Sequence, residues 1–285
     1  MIASWFDAVR ASALLKFGAL SLAATLLSAC VSTRTSLPDA TGATGATGDT
    51  KDRVTASDES DASKRANVRM ELAAAYFGRG QMTTALDQVK LAIIANPNLS
   101  EAYNLRGLIY ANLGDDQLAE ESFRRALQLN PRDADVMQNY GYYQCQKKRY
   151  PEANALFEQA IAEPKNRDVS RTLLTQGVCQ AQAGQWPQAE ATLLRSYQID
   201  PGNPSTAVNL SEVLYRRGDY ERARFYVRRV NALPDVSNAQ TLWLAARIEH
   251  RLGNARGAQD YADQLRGRYP NSRETGLVAR GAYDE

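Results

Sequence analysis

The sequence predicts an all-α fold: a right-handed solenoid of about six stacked helical hairpins. Two observations carry this. First, the chain repeats itself with a period of 34 residues. A fixed period of roughly 20 to 50 residues marks units that bury their apolar faces only by stacking on one another. The stretch ANVRMELAAAYFGRGQMTTALDQVKLAIIANP, ending at Pro97, aligns on SEAYNLRGLIYANLGDDQLAEESFRRALQLNP, ending at Pro131. The alignment pairs Tyr76 with Tyr110, Gly80 with Gly114, Ala85 with Ala119, Val89 with Phe123 and Ala92 with Ala126. Second, the paired positions have packing or backbone roles. Gly107 and Ala119 are small enough to let two helices of one unit approach, and Tyr103 and Phe123 fill the space around them. Gly114 supplies the permissive backbone that ends a helix, and the closing proline stops the next one.

These positions resemble the tetratricopeptide repeat (TPR), which implies two antiparallel helices, A and B, per unit. In order, the repeats are expected at 66–99, 100–133, 134–169, 170–203, 204–238 and 239–272, within a domain spanning 64–272. Repeat three carries Gly141, Tyr150, Ala153, Phe157 and Ala160, and repeat four Gly177, Gly184, Trp186, Ala189 and Pro201. Repeat five carries Gly218, Tyr220 and Ala223, and repeat six Gly253, Ala258 and Pro270. The closing turns EPKNRDVS and LPDVSN make repeats three and five slightly long. The tail, 273–285, is short and polar and is expected to add at most a broken capping helix.

Residues 1–29 read as an export signal. Arg10 and Lys16 precede the apolar run from Phe17 to Leu27. That run is too short for a permanent membrane helix, which needs about 20 residues, but suits a signal-peptide core. Leu27-Ser28-Ala29-Cys30 resembles the lipobox of bacterial lipoproteins, which implies cleavage before Cys30 and diacylation of its thiol. Several acyl chains on one residue anchor stably, at about 0.8 kcal/mol per buried methylene. Ser32 stands where an Asp commonly retains such lipoproteins in the inner membrane. The resemblance therefore implies the outer membrane, with the polypeptide facing the periplasm. From 30 to 63 the chain has scarcely any large apolar residue and contains TGATGATG. It is expected to be a disordered leash with an end-to-end distance on the order of 30 Å.

Composition excludes several function classes. The chain holds 34 basic and 32 acidic residues, and without 1–29 it holds 32 and 31, because Arg10, Lys16 and Asp7 go with the signal. A near-neutral surface does not suit nucleic acid. The pairs Arg124-Arg125, Arg216-Arg217 and Arg228-Arg229 fall late in helices, where they favour the negative dipole end. His250 is the single histidine and has no cysteine or second histidine near it in the pattern, so no metal site is expected. No Gly-rich phosphate loop and no nucleophile elbow occurs. The expectation is a non-enzyme, with no cofactor and no small-molecule substrate.

Cys145 and Cys179 fall on the A helices of repeats three and four. Adjacent A helices pack side by side, and the periplasm is oxidising. A disulfide between them would contribute on the order of 3 kcal/mol. Two separate buried thiols used as small apolar residues are the alternative.

In TPR solenoids the concave face is lined mainly by A-helix positions two, five, nine and twelve. Here these include Met70, Ala74, Asn104, Leu108, Gln138, Tyr142, Leu174, Val178, Val208, Glu212, Tyr215, Trp243, Arg247 and His250. This largely apolar, partly aromatic stripe suits an amphipathic helix or extended apolar segment of a protein partner. A partner burying roughly 1,600 Å² would make an interface of standard size. Tyr142, Tyr215 and Trp243 are the expected anchors.

Longer strings carry a narrower resemblance. RMELAAAYFGRGQMTTALDQVKLAIIANP, AYNLRGLIYANLGDDQLAEESFRRALQLNP followed by NYGYYQCQ, and TQGVCQAQAGQWPQAEATLLRSYQIDP are similar to the type IV pilus biogenesis and stability lipoproteins of the PilF/PilW family. The likeness takes in the lipobox, the repeat number and both internal cysteines. It implies a pilotin: an outer-membrane lipoprotein that brings the pilus secretin to the outer membrane and promotes its multimer, serving pilus assembly and twitching motility. Scaffolds of outer-membrane β-barrel assembly or of cell-wall synthesis would share the fold and the lipid but differ in partner.

Overall fold

The computed structural model describes residues 61–283. The expected signal segment 1–29, the lipidation site Cys30 and the leash as far as residue 60 lie outside the described residues. Thirteen helices, and no strand, occur among the described residues.

Six antiparallel pairs follow one another. They are α1 (Asp61–Gly78) with α2 (Met82–Ala95), α3 (Ser100–Leu113) with α4 (Asp116–Leu129), and α5 (Ala134–Gln146) with α6 (Tyr150–Ala162). Next come α7 (Val169–Gln182) with α8 (Trp186–Ile199), α9 (Pro204–Arg216) with α10 (Tyr220–Asn231), and α11 (Ala239–Arg251) with α12 (Ala255–Arg268). A short α13 (Arg273–Ala279) closes the series. The first helix begins at Asp61, so residues 61–63 form its first turn rather than the end of the leash, and Asp61 there favours the positive dipole end.

Local signals set the helix ends. Asp115, Asp133, Asp168, Asn203, Asp219 and Asn254 each accept from a backbone N–H of the first turn they precede. Asn238 and Thr241 form a reciprocal capping box at the start of α11. Gly114 ends α3 with φ +82°, a left-handed conformation that costs glycine nothing. In repeat three the matching position is Lys148, which holds φ 59° with a side chain attached. Such a residue carries about 1–2 kcal/mol of steric cost relative to glycine.

The A and B helices of one unit touch through the small residues named above. A Cβ on Gly107 would lie 2.9 Å from the Phe123 ring, and one on Gly141 2.9 Å from the Phe157 ring. Phe123 and Phe157 are fully buried there, as is Leu193 against Gly177. Within the same hairpins, Ser100 Oγ donates to Ala126 O (3.1 Å), and Ser196 Oγ donates to Ser170 O (2.8 Å). Cys145 on α5 and Cys179 on α7 are bonded as a disulfide, their Cα atoms 5.9 Å apart, so the two thiols are bridged rather than separate.

The tail is more ordered than its polarity implies. α13 buries Leu277 and Val278 against Leu242, Trp243, Ala246, Ala262 and Leu265, capping the last hairpin.

Candidate functional site

The expected groove residues divide into two sets. Met70, Asn104, Leu108, Tyr142 and Leu174 are half-buried and line the accessible part of the A-helix face. Gln138, Val178, Val208, Tyr215, Trp243 and Arg247 are buried, and the reading of these as open groove is corrected by the structure. Each is consumed by contacts within the chain. Gln138 Oε1 accepts from Thr172 Oγ1 at 2.7 Å across repeats three and four, and beside it Asn139 Nδ2 donates to Asn104 Oδ1 at 3.3 Å. Val208 and Tyr215 join the core shared by α8, α9, α10 and α11, and Val178 is only 7% exposed.

At the C-terminal end the face is covered by the chain itself. The Tyr283 ring stacks on Trp243 (centroids 5.4 Å apart) and on His250 (4.6 Å). Arg247 Nε donates to Tyr283 O at 3.2 Å. Trp243 is therefore not an exposed anchor, and nothing in the repeat pattern signals this, because Tyr283 lies outside the repeats; Tyr215 is closed in by the core of repeats five and six.

The accessible part deepens into a trough between α3 and α5, a cavity of about 250 Å³ lined by Leu108, Ala111, Asn112, Tyr142, Tyr143 and Gln146. Two of these, Leu108 and Tyr142, are expected from the sequence. Asn112 and Gln146 are not, although each lies four residues on from an expected one, and side chains i and i+4 share a helix face. Behind the trough the wall is fixed. Phe123, Tyr140 and Tyr143 pack ring against ring, and the Tyr143 hydroxyl donates to Asp116 O at 3.1 Å. Burial, with the charges of Asp116 and Glu120, pushes the Tyr143 phenol up to about 12. The Tyr140 hydroxyl donates to Glu120 (3.2 Å), which also pairs with Arg149 (3.2 Å) and Arg124. Burial opposes ionisation of Glu120, but the Arg149 hydrogen bond and the Arg124 and Arg149 charges outweigh it and hold the carboxyl below its ordinary value.

The arrangement is suited to holding a polypeptide. Neutral amides and a half-buried aromatic face the trough, and its charged groups are spent on each other in the wall. Among the described residues, no group of three or more His, Cys, Asp or Glu side chains could hold a metal ion. No described helix is long and apolar enough to cross a membrane.

Comparison with known proteins agrees with this architecture. Tetratricopeptide repeat models match residues 100–133, 141–204 and 240–272. The type IV pilus assembly protein PilF of Pseudomonas aeruginosa is 27% identical over 205 residues, covering 72% of this chain and 81% of PilF. Among solved structures, that of PilW, a widely conserved type IV pilus biogenesis factor, superposes with a TM-score of 0.69. It is 32% identical, over 75% of this chain and 98% of PilW. A structure of Pseudomonas aeruginosa PilF matches in fold, with a TM-score of 0.68 at 24% identity over 78% of this chain and all of that one.

Proposed function

The chain belongs to the TPR family of type IV pilus biogenesis factors that includes PilW, and on that premise we propose that it is an outer-membrane pilotin. It binds the pilus secretin and promotes the secretin's localisation and multimerisation. The observation that carries partner binding is the trough between α3 and α5, where Leu108 and Tyr142 flank a rigid, internally neutralised wall. An extended or helical segment laid there gains apolar contact and an aromatic anchor without having to desolvate a charge. The protein is a scaffold, and its effect on assembly comes from holding a segment in place rather than from chemistry.

Lipid on Cys30 moors the domain to the periplasmic side of the outer membrane in this reading, and the leash sets its reach. Tethering raises the effective concentration of the trough around membrane-proximal partners. The lipobox supports the first statement and the Thr/Gly-rich composition the second.

A deletion strain tests the reading. It should lose surface pili and secretin multimers while keeping normal levels of outer-membrane β-barrel proteins. Complementation with Tyr142→Ala should restore multimers less than complementation with Arg216→Ala. Secretin multimers that persist unchanged in the deletion strain overturn the pilotin role. A concurrent fall in barrel proteins would point instead to β-barrel assembly.

A further inference from the structure

We propose that the cradle formed by Tyr215, Trp243, Arg247 and His250 is a binding site for an aromatic residue on an extended peptide, and that Tyr283 occupies it as an internal stand-in. The site lies on α9 and α11, away from the trough, and its assignment does not depend on which pilus protein the trough holds.

The selectivity for an aromatic side chain is built into two walls. Trp243 and His250 both lie nearly parallel to the Tyr283 ring, at 24° and 15°. Offset stacking of this kind contributes beyond simple burial. Arg247 supplies the contact to the main chain. Its side chain is buried, at 5% exposure, with the guanidinium 4.4 Å from the Tyr215 ring centroid. Its Nε–H points at a backbone carbonyl, that of Tyr283. A carbonyl is common to every residue, so this bond recognises peptide as such while the rings choose the side chain.

The stand-in satisfies only part of the cradle. Tyr215 Oη and Trp243 Nε1 are buried without a hydrogen-bond partner among the described residues. A buried donor left unpaired carries a cost of about 1–3 kcal/mol. A longer occupant that brings further acceptors would remove that cost, which favours exchange of Tyr283 for a peptide supplied in trans. Tyr283 is itself half-buried, and it reaches the cradle through a turn at Gly281, where φ is +66°. With Ala282 it packs at the margin of the cluster that holds Leu277 and Val278, beyond the last turn of α13.

Two emptied forms test the assignment: the chain truncated after Arg280, and the untruncated chain carrying Tyr283→Ala, both purified in detergent. A cooperative thermal melt establishes that each is folded. Both are titrated with the synthetic peptide ARGAYDE, which has the sequence of residues 279–285, and with ARGAADE, up to millimolar concentration, reading tryptophan fluorescence. The expected result is saturable binding of the tyrosine peptide to both emptied forms. The unaltered chain should bind it at least about ten-fold more weakly, because its competent state is occupied by the tail. The alanine peptide should also lose at least about ten-fold. No saturable binding to the folded emptied forms, or equal binding of the two peptides, overturns the proposal.

Discussion

Alanine at Gly177 should destabilise the solenoid even though alanine is the better helix former. Its Cβ would stand 2.6 Å from Leu193 Cγ, 2.9 Å from Cδ2 and 3.3 Å from the Leu193 backbone nitrogen. Leu193 is fully buried, and the nearby backbone atom means that turning the side chain alone cannot relieve the contact. Overpacking of this kind costs about 1–3 kcal/mol, and alanine in a helix interior recovers at most about 1 kcal/mol over glycine. A 2.6 Å approach to a buried branched carbon belongs to the upper half of that range, so the net expectation is about 1–2 kcal/mol of lost stability, read as a lower urea midpoint at unchanged slope by circular dichroism. Leu193→Ala alone should cost about 2–5 kcal/mol through the cavity it leaves. In the double variant the new methyl occupies space that Leu193 vacated, so the loss should fall short of the sum by about 1–2 kcal/mol. A Gly177→Ala midpoint equal to or above that of the parent would refute the close-approach reasoning. So would a cycle that is additive within about 0.3 kcal/mol.

Lys148→Gly should raise stability by about 1 kcal/mol in the same urea assay, because it relieves a left-handed residue at the end of α5 without disturbing a buried contact. Cys145→Ala should lower it by about 3–4 kcal/mol, the chain-entropy value for a sequence separation of 34, and thiol titration of the denatured, unreduced parent should find neither Cys145 nor Cys179 free. Acid should weaken the wall of the trough. The Glu120 carboxyl titrates below its ordinary value of 4.5 when folded, so its contribution is present above that pH and is lost as pH falls through the lowered value. Glu120→Gln should therefore flatten this part of the pH–stability curve, which urea midpoints between about pH 6 and 3 would register.

The fold was legible because every repeat states the same local rules. Gly107, Gly141 and Gly177 recur at one position, and at each the structure places a large side chain of the partner helix against the missing Cβ. The groove was legible only in part. Position within a repeat says which way a side chain points on its own helix, but not how far the next unit overlaps it. Asn104 and Leu174 are half-buried, whereas Val208, at the same fifth position of its repeat, is closed in by its neighbours. The capping of Trp243 by Tyr283 depends on a tail without periodicity, so no pattern could announce it. The ion pair between exposed Arg228 and the buried Glu249 carboxylate (2.7 Å) was hidden for a similar reason, since an Arg pair late in a helix reads as solvated surface.

The two ends of the solenoid differ in a way that bears on how a partner is engaged. Ala102 in repeat two is fully buried where it stacks beneath repeat one, yet Val68, its counterpart one period earlier, is 56% exposed. Leu72 on the same helix, and Leu91 and Ile94 on α2, are exposed as well. The last hairpin has no such edge: α13 seals its apolar face and Tyr283 fills the end of its groove. Four exposed large apolar side chains thus share the first repeat, next to the trough of repeats two and three, whereas Leu113, Ile199, Phe225 and Leu233 are scattered over the later ones. Stacking alone accounts for the asymmetry, because a solenoid unit that lacks a neighbour leaves its interface open unless a cap is supplied. In the proposed pilotin the same end carries the leash and the lipid, so the surface free to hold a partner is also the surface held nearest the membrane.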